Sequence, residues 1–151
     1  MEKVVASLGD LRGTAERNAL GRHLIAEIWT EHPHLLDDLE HLKDAVKTAC
    51  RAGNLTVVDV LAHKFAPHGA TLIALLMESH LSIHTWPEHG YAAVDVFACA
   101  GDPERALEVL AQELQAHRVE IVDLDRGLLP EGETPVCRFE PHSEVPTSLA
   151  I

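Results

Sequence analysis

The segment from residue 77 to residue 90 constrains the fold of this chain more than any other stretch. After the Glu78-Ser79 step, apolar and polar residues alternate, and a period of two is typical of a β-strand with two different faces. One face would carry Leu81, Ile83 and Thr85, and the other His80, Ser82, His84 and Trp86. Placing hydroxyl, imidazole and indole groups along a strand beside an apolar core is costly unless that polar face has a function.

The flanking sequence predicts further strands and two amphipathic helices. Alternating or β-branched stretches predict strands over residues 21–29, 55–66, 71–77, 91–99 and 119–124. The 71–77 run is continuously apolar, so we expect it to be buried on both faces. Apolar residues spaced three and four apart predict helices over 33–52, ended by Gly53, and from Pro103 to about His117.

This order of elements predicts an α/β (α+β) fold. The strands form one antiparallel-rich sheet and the helices pack on one of its faces, which gives a two-layer sandwich. At 151 residues the chain is long enough for one domain with one core. We assign that domain to residues 19–127, with an N-terminal extension at 1–18 and a C-terminal surface tail at 128–151.

Charge and hydropathy exclude several classes of function. Lysine and arginine number 12 against 24 acidic residues, a net charge of −12, and the sequence has no basic cluster for a phosphate backbone. No apolar run approaches the roughly 20 residues of a membrane span, and residues 1–10 lack the pattern of a secretory signal. Three cysteines are too few for a disulfide framework. We therefore expect a cytoplasmic protein that binds neither nucleic acid nor membrane.

The 11 histidines of the chain invite a metal site, but their spacing does not support one. His80 and His84 would share one face of a helix, whereas this segment is a predicted strand and lacks the glutamate of a zinc-protease motif. We therefore expect no metal. Cys50, in the first predicted helix, and Cys137, in the tail, are interpreted as bystanders.

The Glu78-Ser79 step allows a reaction of the backbone itself. A serine hydroxyl can attack the carbonyl of the preceding residue and convert the amide to an ester, provided that a donor stabilises the oxyanion. Removal of the serine α-proton then eliminates the ester, and the dehydroalanine that remains hydrolyses to a pyruvoyl group. Such a ketone condenses with an amino acid and accepts electrons as CO2 leaves. The chemistry requires a serine, a base, an oxyanion donor and an acid.

The segment around this step resembles, nearly residue for residue, the self-cleavage segment of the prokaryotic S-adenosylmethionine decarboxylases. The likeness runs from about Leu20 to Gly127, and its specificity is concentrated in residues 63–101. It implies a pyruvoyl-dependent decarboxylase of S-adenosylmethionine that supplies the aminopropyl donor for spermidine synthesis. It also implies a homodimer of cleaved protomers.

The resemblance assigns the processing and catalytic residues. Cleavage falls between Glu78 and Ser79, and Ser79 becomes the pyruvoyl group. His84 matches the histidine that takes part in the elimination, and Cys99 matches the cysteine that protonates the product carbon. Thr71 stands where the family more often has a serine that supports processing. The hydroxyl is retained, and the extra methyl affects the rate of maturation more than its chemistry.

The resemblance also covers the substrate pocket. Phe65 matches the aromatic residue that stacks on adenine. Trp86 and Glu88 match residues beside the nucleoside, and the Glu88 carboxylate suits ribose hydroxyls. His68 and His89 stand where relatives often have tyrosine, so the edge of the pocket is altered.

Two alternative functions remain open at the level of the sequence. Relatives of this fold use the same pyruvoyl chemistry on arginine or ornithine, and the changes at His68, His89 and Thr71 leave room for such a substrate. The chain could also be an unprocessed, non-catalytic homologue that serves as a binding partner. The intact set of Ser79, His84 and Cys99 argues against that second alternative.

Overall fold

The computed structural model describes the backbone of residues 2–7 and the full residues 18–136. Seven strands form one sheet. The strands are β1 (Glu2–Ser7), β2 (Ala19–Thr30), β3 (Val57–Lys64), β4 (Ala70–Leu76), β5 (Ser79–Trp86), β6 (Tyr91–Ala98) and β7 (Ala116–Leu128). The helices are α1 (Pro33–Asp37), α2 (Leu39–Ala52) and α3 (Pro103–Glu113), with a short 3₁₀ turn at Pro87–His89.

The sheet is almost entirely antiparallel. Its strand order is β1-β7-β2-β6-β5-β4-β3. Every neighbouring pair is antiparallel except β1 and β7, which pair in parallel along Glu2–Ser7. The predicted antiparallel-rich sheet is therefore confirmed. The edge strand β1 lies within the segment interpreted as an extension, and the domain limits at 19–127 stay a prediction.

One face of the sheet is covered by helices and carries the hydrophobic core. Leu24 and Ile28 of β2 and Leu81 and Ile83 of β5 are buried on this face, beneath the helices. From the helices, the fully buried residues include Leu36, Leu42, Val46, Ala49, Cys50, Ala106, Leu107 and Leu110. Each fully buried leucine or isoleucine contributes about 1.5–3 kcal/mol of transfer free energy. The predicted two-layer arrangement, with helices on one face, is confirmed.

The opposite side of the sheet, here called the open face, has no helix on it among the described residues. A row across it consists of Ile25, Ile73, Ser82 and Asp95, which are opposite one another on β2, β4, β5 and β6. The prediction that residues 71–77 are buried on both faces is wrong, because Ile73 is 45% and Leu75 is 54% exposed. Strand β4 is continuously apolar, but only one of its faces is shielded from solvent, because the helices that the structure describes all pack on that face.

Several predicted boundaries also differ from the structure. The helix predicted over 33–52 is divided at Asp38, whose side chain caps α2 by accepting hydrogen bonds from the amides of Glu40 and His41. Helix α3 ends at Glu113 rather than near His117, because Gln115 has a positive φ of 50° and ends the helical path. The last strand consequently begins at Ala116 and is longer than predicted.

Candidate active site

The Glu78–Ser79 peptide bond lies in the tight hairpin that joins β4 to β5. Leu76 pairs with Ser79, so only Met77 and Glu78 form the turn. Ser79 has a φ of 154°, a positive value that costs a residue with a Cβ about 1–3 kcal/mol. Such a conformation persists only where the surrounding contacts impose it. The backbone is therefore strained at the serine that the sequence singled out.

Both residues of the turn are held by neighbouring backbone. The Glu78 carbonyl oxygen accepts a hydrogen bond of 3.2 Å from the amide of Cys99. The Glu78 side chain is only 5% exposed, and its carboxylate accepts from the Thr56 amide at 2.9 Å. The Met77 amide donates to the Thr56 carbonyl at 3.0 Å. An N–H aimed at the oxygen of the Glu78 carbonyl can stabilise negative charge that develops there.

Cys99 follows directly on the end of β6 and lines a cavity of about 740 Å³ together with Arg22, Asp102 and Asp123. Its sulfur is disulfide-bonded. A disulfide carries no S–H proton, so Cys99 can act as an acid only after reduction. Cys50 is free and buried, and burial, with a smaller effect of Glu78, raises its pKa to about 11. Cys137 lies outside the described residues.

Thr71 and His84 form a hydrogen-bonded pair across β4 and β5. Thr71 Oγ1 and His84 Nδ1 are 2.8 Å apart. The pair is not close to Ser79, however, because His84 lies five residues further along the extended strand β5. At roughly 3.3 Å per residue that separation is about 16 Å. The structure of one protomer does not bring His84 to the bond between Glu78 and Ser79.

Phe65 lies on the loop between β3 and β4 and is 48% exposed. The prediction had placed it within a strand, but β3 ends at Lys64. Its amide donates to the Gly69 carbonyl at 2.8 Å, and Asp37 closes the loop by accepting from the Gly69 amide at 2.8 Å. Asp37 also bonds to Lys64, which together with the Gly69 amide lowers the pKa of the Asp37 carboxyl.

Trp86 and Glu88 lie where β5 ends and the 3₁₀ turn begins. The Trp86 side chain is 41% exposed, and its ring lies 5.4 Å from the ring of Tyr91. Trp86 follows His84 by two residues, so both side chains lie on the same face of β5. The backbone of Gly69 lies close to that of Thr85, because a Cβ added to Gly69 would be only 2.7 Å from the Thr85 carbonyl oxygen.

The site residues predicted from sequence therefore form two groups at opposite ends of β5. The group at its start, here called the cleavage end, consists of Glu78, Ser79 and Cys99. The group near its end, here called the pocket end, consists of Phe65, Thr71, His84, Trp86 and Glu88. The chain keeps these two groups apart along the strand.

The structure adds a polar cluster that sequence reasoning missed. His80 Nδ1 lies 3.3 Å from Ser79 Oγ, on the open face. The rings of His23 and Phe97 lie against His80, and His23 binds Asp95 at 3.0 Å. The signal in the sequence is the position of His80 directly after the Glu-Ser step, but neither the alternation of the strand nor the His80–His84 spacing indicates a contact with Ser79.

The structure also bears on metal binding and on membrane insertion. Within the described ranges, 2–7 and 18–136, no group of three or more metal-binding side chains is placed to hold an ion. In the same ranges, no helix is both long enough and apolar enough to cross a membrane.

Known proteins match most of this chain. A family model described as S-adenosylmethionine decarboxylase matches residues 22–127. A Methanococcus maripaludis protein named S-adenosylmethionine decarboxylase proenzyme is 41% identical over 116 residues, which cover 76% of this chain and 95% of that protein. A protein of the same name from Parasynechococcus marenigrum is 49% identical over 102 residues, which cover 66% of this chain and 79% of that protein. The crystal structure of the adenosylmethionine decarboxylase from Aquifex aeolicus superimposes with a TM-score of 0.71 at 35% identity. The superposition covers 78% of this chain and 98% of the Aquifex chain.

Proposed function

The chain belongs to the S-adenosylmethionine decarboxylase family, and we propose that it becomes active by cutting its own backbone between Glu78 and Ser79. It is a carboxy-lyase that acts on S-adenosylmethionine, and the alternatives of an arginine or ornithine decarboxylase and of a non-catalytic homologue are not favoured. The names of its relatives include the word proenzyme, which is the term for a chain that requires processing.

One observation carries the proposal of self-cleavage. The carbonyl that Ser79 must attack already accepts a hydrogen bond from the Cys99 amide, and Ser79 itself is held at a strained φ of 154°. The donor is in place for the oxyanion, and cleavage would release the backbone strain at Ser79. The buried contact between Glu78 and the Thr56 amide fixes the other side of the turn. These contacts fit a serine that is prepared for an acyl shift.

Ser79 would become the pyruvoyl group, which supplies the electron sink for loss of CO2. Cys99 is adjacent in space, because its amide reaches the residue before Ser79. In its reduced form the Cys99 thiol would donate a proton to the product carbon. No metal is part of this proposal.

The separation of the two ends of β5 supports a homodimer with a shared site. His84 and Thr71 lie about 16 Å along the strand from Ser79, so a His84 that acts on Ser79 must come from a second chain. The open face exposes Leu61, Ile73 and Leu75, which are 73%, 45% and 54% exposed, and a second copy would cover them. A two-fold axis near the middle of β5 would place the pocket end of one protomer opposite the cleavage end of its partner.

In this arrangement each residue has a defined role. The partner's His84, oriented by the hydroxyl of Thr71, would remove the α-proton of Ser79 in the elimination. Phe65 would stack on adenine, Trp86 would border the nucleoside and Glu88 would bind the ribose hydroxyls. Asp37 acts through the loop that carries Phe65 and is a positioning residue. The product would serve spermidine synthesis in the cytoplasm.

Self-cleavage predicts two fragments. The mature protein should consist of residues 1–78 and residues 79–151, and the second should carry a pyruvoyl group in place of a free amino terminus. Ser79→Ala should stay whole, because it lacks the attacking hydroxyl. Intact mass measurement under denaturing conditions distinguishes these species. An active preparation that contains only the uncut chain would contradict the proposal.

The shared site predicts complementation between two inactive variants. Ser79→Ala cannot be cut, and His84→Ala lacks the elimination base in both of its sites. When the two are co-expressed with different tags, the heterodimer has one complete site, so the His84→Ala chain should be processed to a pyruvoyl fragment.

The matched control replaces the Ser79→Ala chain with the double variant Ser79→Ala/His84→Ala, which offers its partner no histidine. That pair should yield no pyruvoyl fragment. Tandem purification through both tags isolates the heterodimers, and mass measurement identifies the fragments. A purified heterodimer with no processed chain would count against a site built from two protomers.

The disulfide at Cys99 predicts that turnover depends on reduction. Wild-type decarboxylation should rise when a thiol reductant is added, since only the reduced side chain has a proton to donate. Cys99→Ala should still cleave itself, because the backbone amide of residue 99 is retained, but should lose most of its turnover and not respond to reductant. CO2 release with and without reductant measures both effects. Full turnover of Cys99→Ala would refute the assignment.

Substrate stacking predicts a selective effect of Phe65→Ala. Loss of a stacking ring removes about 1–3 kcal/mol, so KM for S-adenosylmethionine should rise by roughly 5- to 150-fold. Self-cleavage should be unchanged, because Phe65 lies at the pocket end, away from Ser79. Asp37→Asn should raise KM less, through a looser loop. Steady-state kinetics on fully processed enzyme test this, and an unaltered KM in Phe65→Ala would remove Phe65 from the pocket.

A further inference from the structure

A polar cluster on the open face surrounds His80, the residue that follows Ser79. Asp95 lies at its centre, and the Asp95 carboxylate accepts hydrogen bonds from His23 Nε2 at 3.0 Å and from Ser82 Oγ at 3.4 Å. Arg126 extends from β7 and lies 3.4 Å from His23 Nδ1. The cluster joins β2, β5, β6 and β7, so its geometry depends on the sheet as a whole.

These bonds determine which nitrogen of His23 carries the proton. Arg126 can only donate, so His23 Nδ1 accepts, and His23 Nε2–H therefore donates to Asp95. Hydrogen bonds thus hold the His23 ring at both nitrogens. Its ring lies 6.2 Å from the ring of His80 in an edge-on arrangement, and Phe97 lies 5.9 Å away on another side. The two rings limit the rotation of His80.

The His80 ring is placed with Nδ1 3.3 Å from Ser79 Oγ. Burial, and secondarily the neighbouring His23 and Arg126, lower the pKa of His80, whereas Asp95 opposes them. The residue that pairs with His80 on the neighbouring strand β4 is Leu75, which carries no charge. At neutral pH the imidazole is therefore uncharged, and in the tautomer that carries its proton on Nε2 the Nδ1 atom has a lone pair for the hydroxyl proton of Ser79.

We propose that His80 is the base of the first step of self-cleavage, the acyl shift from nitrogen to oxygen. His80 Nδ1 takes the hydroxyl proton as Ser79 Oγ bonds to the carbonyl carbon of Glu78. The carbonyl oxygen takes the negative charge and is stabilised by the Cys99 amide. The C–N bond then breaks, and His80 returns the proton to the Ser79 nitrogen. The products are an ester and a free amine, and no other reactant is needed.

This assignment rests on the proposed self-cleavage and divides its two steps between protomers. The nucleophile, the base and the oxyanion donor of the acyl shift all lie at the cleavage end of one chain. His84, about 16 Å away along β5, cannot reach Ser79 in its own chain and serves the later elimination from the partner. Ester formation is therefore a reaction within one protomer, and elimination is a reaction between two.

The His84→Ala background isolates the step in question. This variant should stop at the ester, which hydroxylamine cleaves to fragments whereas an amide survives. In His84→Ala, hydroxylamine-sensitive chain should accumulate with time. In His80→Gln/His84→Ala, its rate of formation should fall by about 100-fold or more, which is the usual contribution of a general base. Glutamine retains a polar side chain of similar length but cannot accept and return the proton.

Three controls make the result decisive. His117→Ala/His84→Ala removes an exposed histidine of β7 and should form ester at the rate of His84→Ala. Thermal unfolding and light scattering confirm that the His80 variant is folded and has the same assembly state, and His80→Asn/His84→Ala serves as a second variant should His80→Gln not fold. In the wild-type background, His80→Gln should remain an uncut amide chain.

The outcomes separate this inference from the proposed function. If folded His80→Gln/His84→Ala and His80→Asn/His84→Ala form ester as fast as His84→Ala, then His80 is not the base, while self-cleavage of the wild type stands. If the wild-type chain itself never cuts, self-cleavage fails, and the role of His80 fails with it.

Discussion

The register between β5 and β6 is the constraint on which the candidate site depends. Because Ser79 pairs with Ala98, the amide of Cys99 faces the carbonyl of Glu78, and Phe97 faces His80. A slip of one residue would move every side chain of β5 to the opposite face of the sheet and would expose Leu81 and Ile83. The burial of those residues in the core therefore also fixes the oxyanion donor and the histidine beside the serine.

The hairpin turn converts this register into a strained backbone. A turn of two residues leaves little freedom at Glu78 and Ser79, and the buried Glu78 carboxylate is held by the Thr56 amide. The positive φ of Ser79 is the cost of satisfying both constraints. Strain at this position is tolerated because the neighbouring strands hold it from both sides, and an irreversible cleavage would release it.

Among the residues that the structure describes, helices cover only one face of the sheet, and this bears on why the predicted site residues lie in two groups. The helices bury the apolar side of β5, and its polar side stays on the open face with His80 and His84 at different distances along it. A single strand cannot bring both residues to Ser79, since it is extended. A second copy on the open face would complete the site and would also cover the exposed leucines and isoleucine of β3 and β4.

The sequence by itself determined the alternation of β5, the two-layer arrangement and the family, because local periodicity and a contiguous motif are written in neighbouring residues. Only the tertiary structure decided two other features. The exposure of Ile73 and Leu75 depends on which face the helices cover. The cluster of His23, His80 and Asp95 depends on pairing between strands far apart in the chain. Contacts of this kind are set by register and packing, so no local pattern in the sequence specifies them.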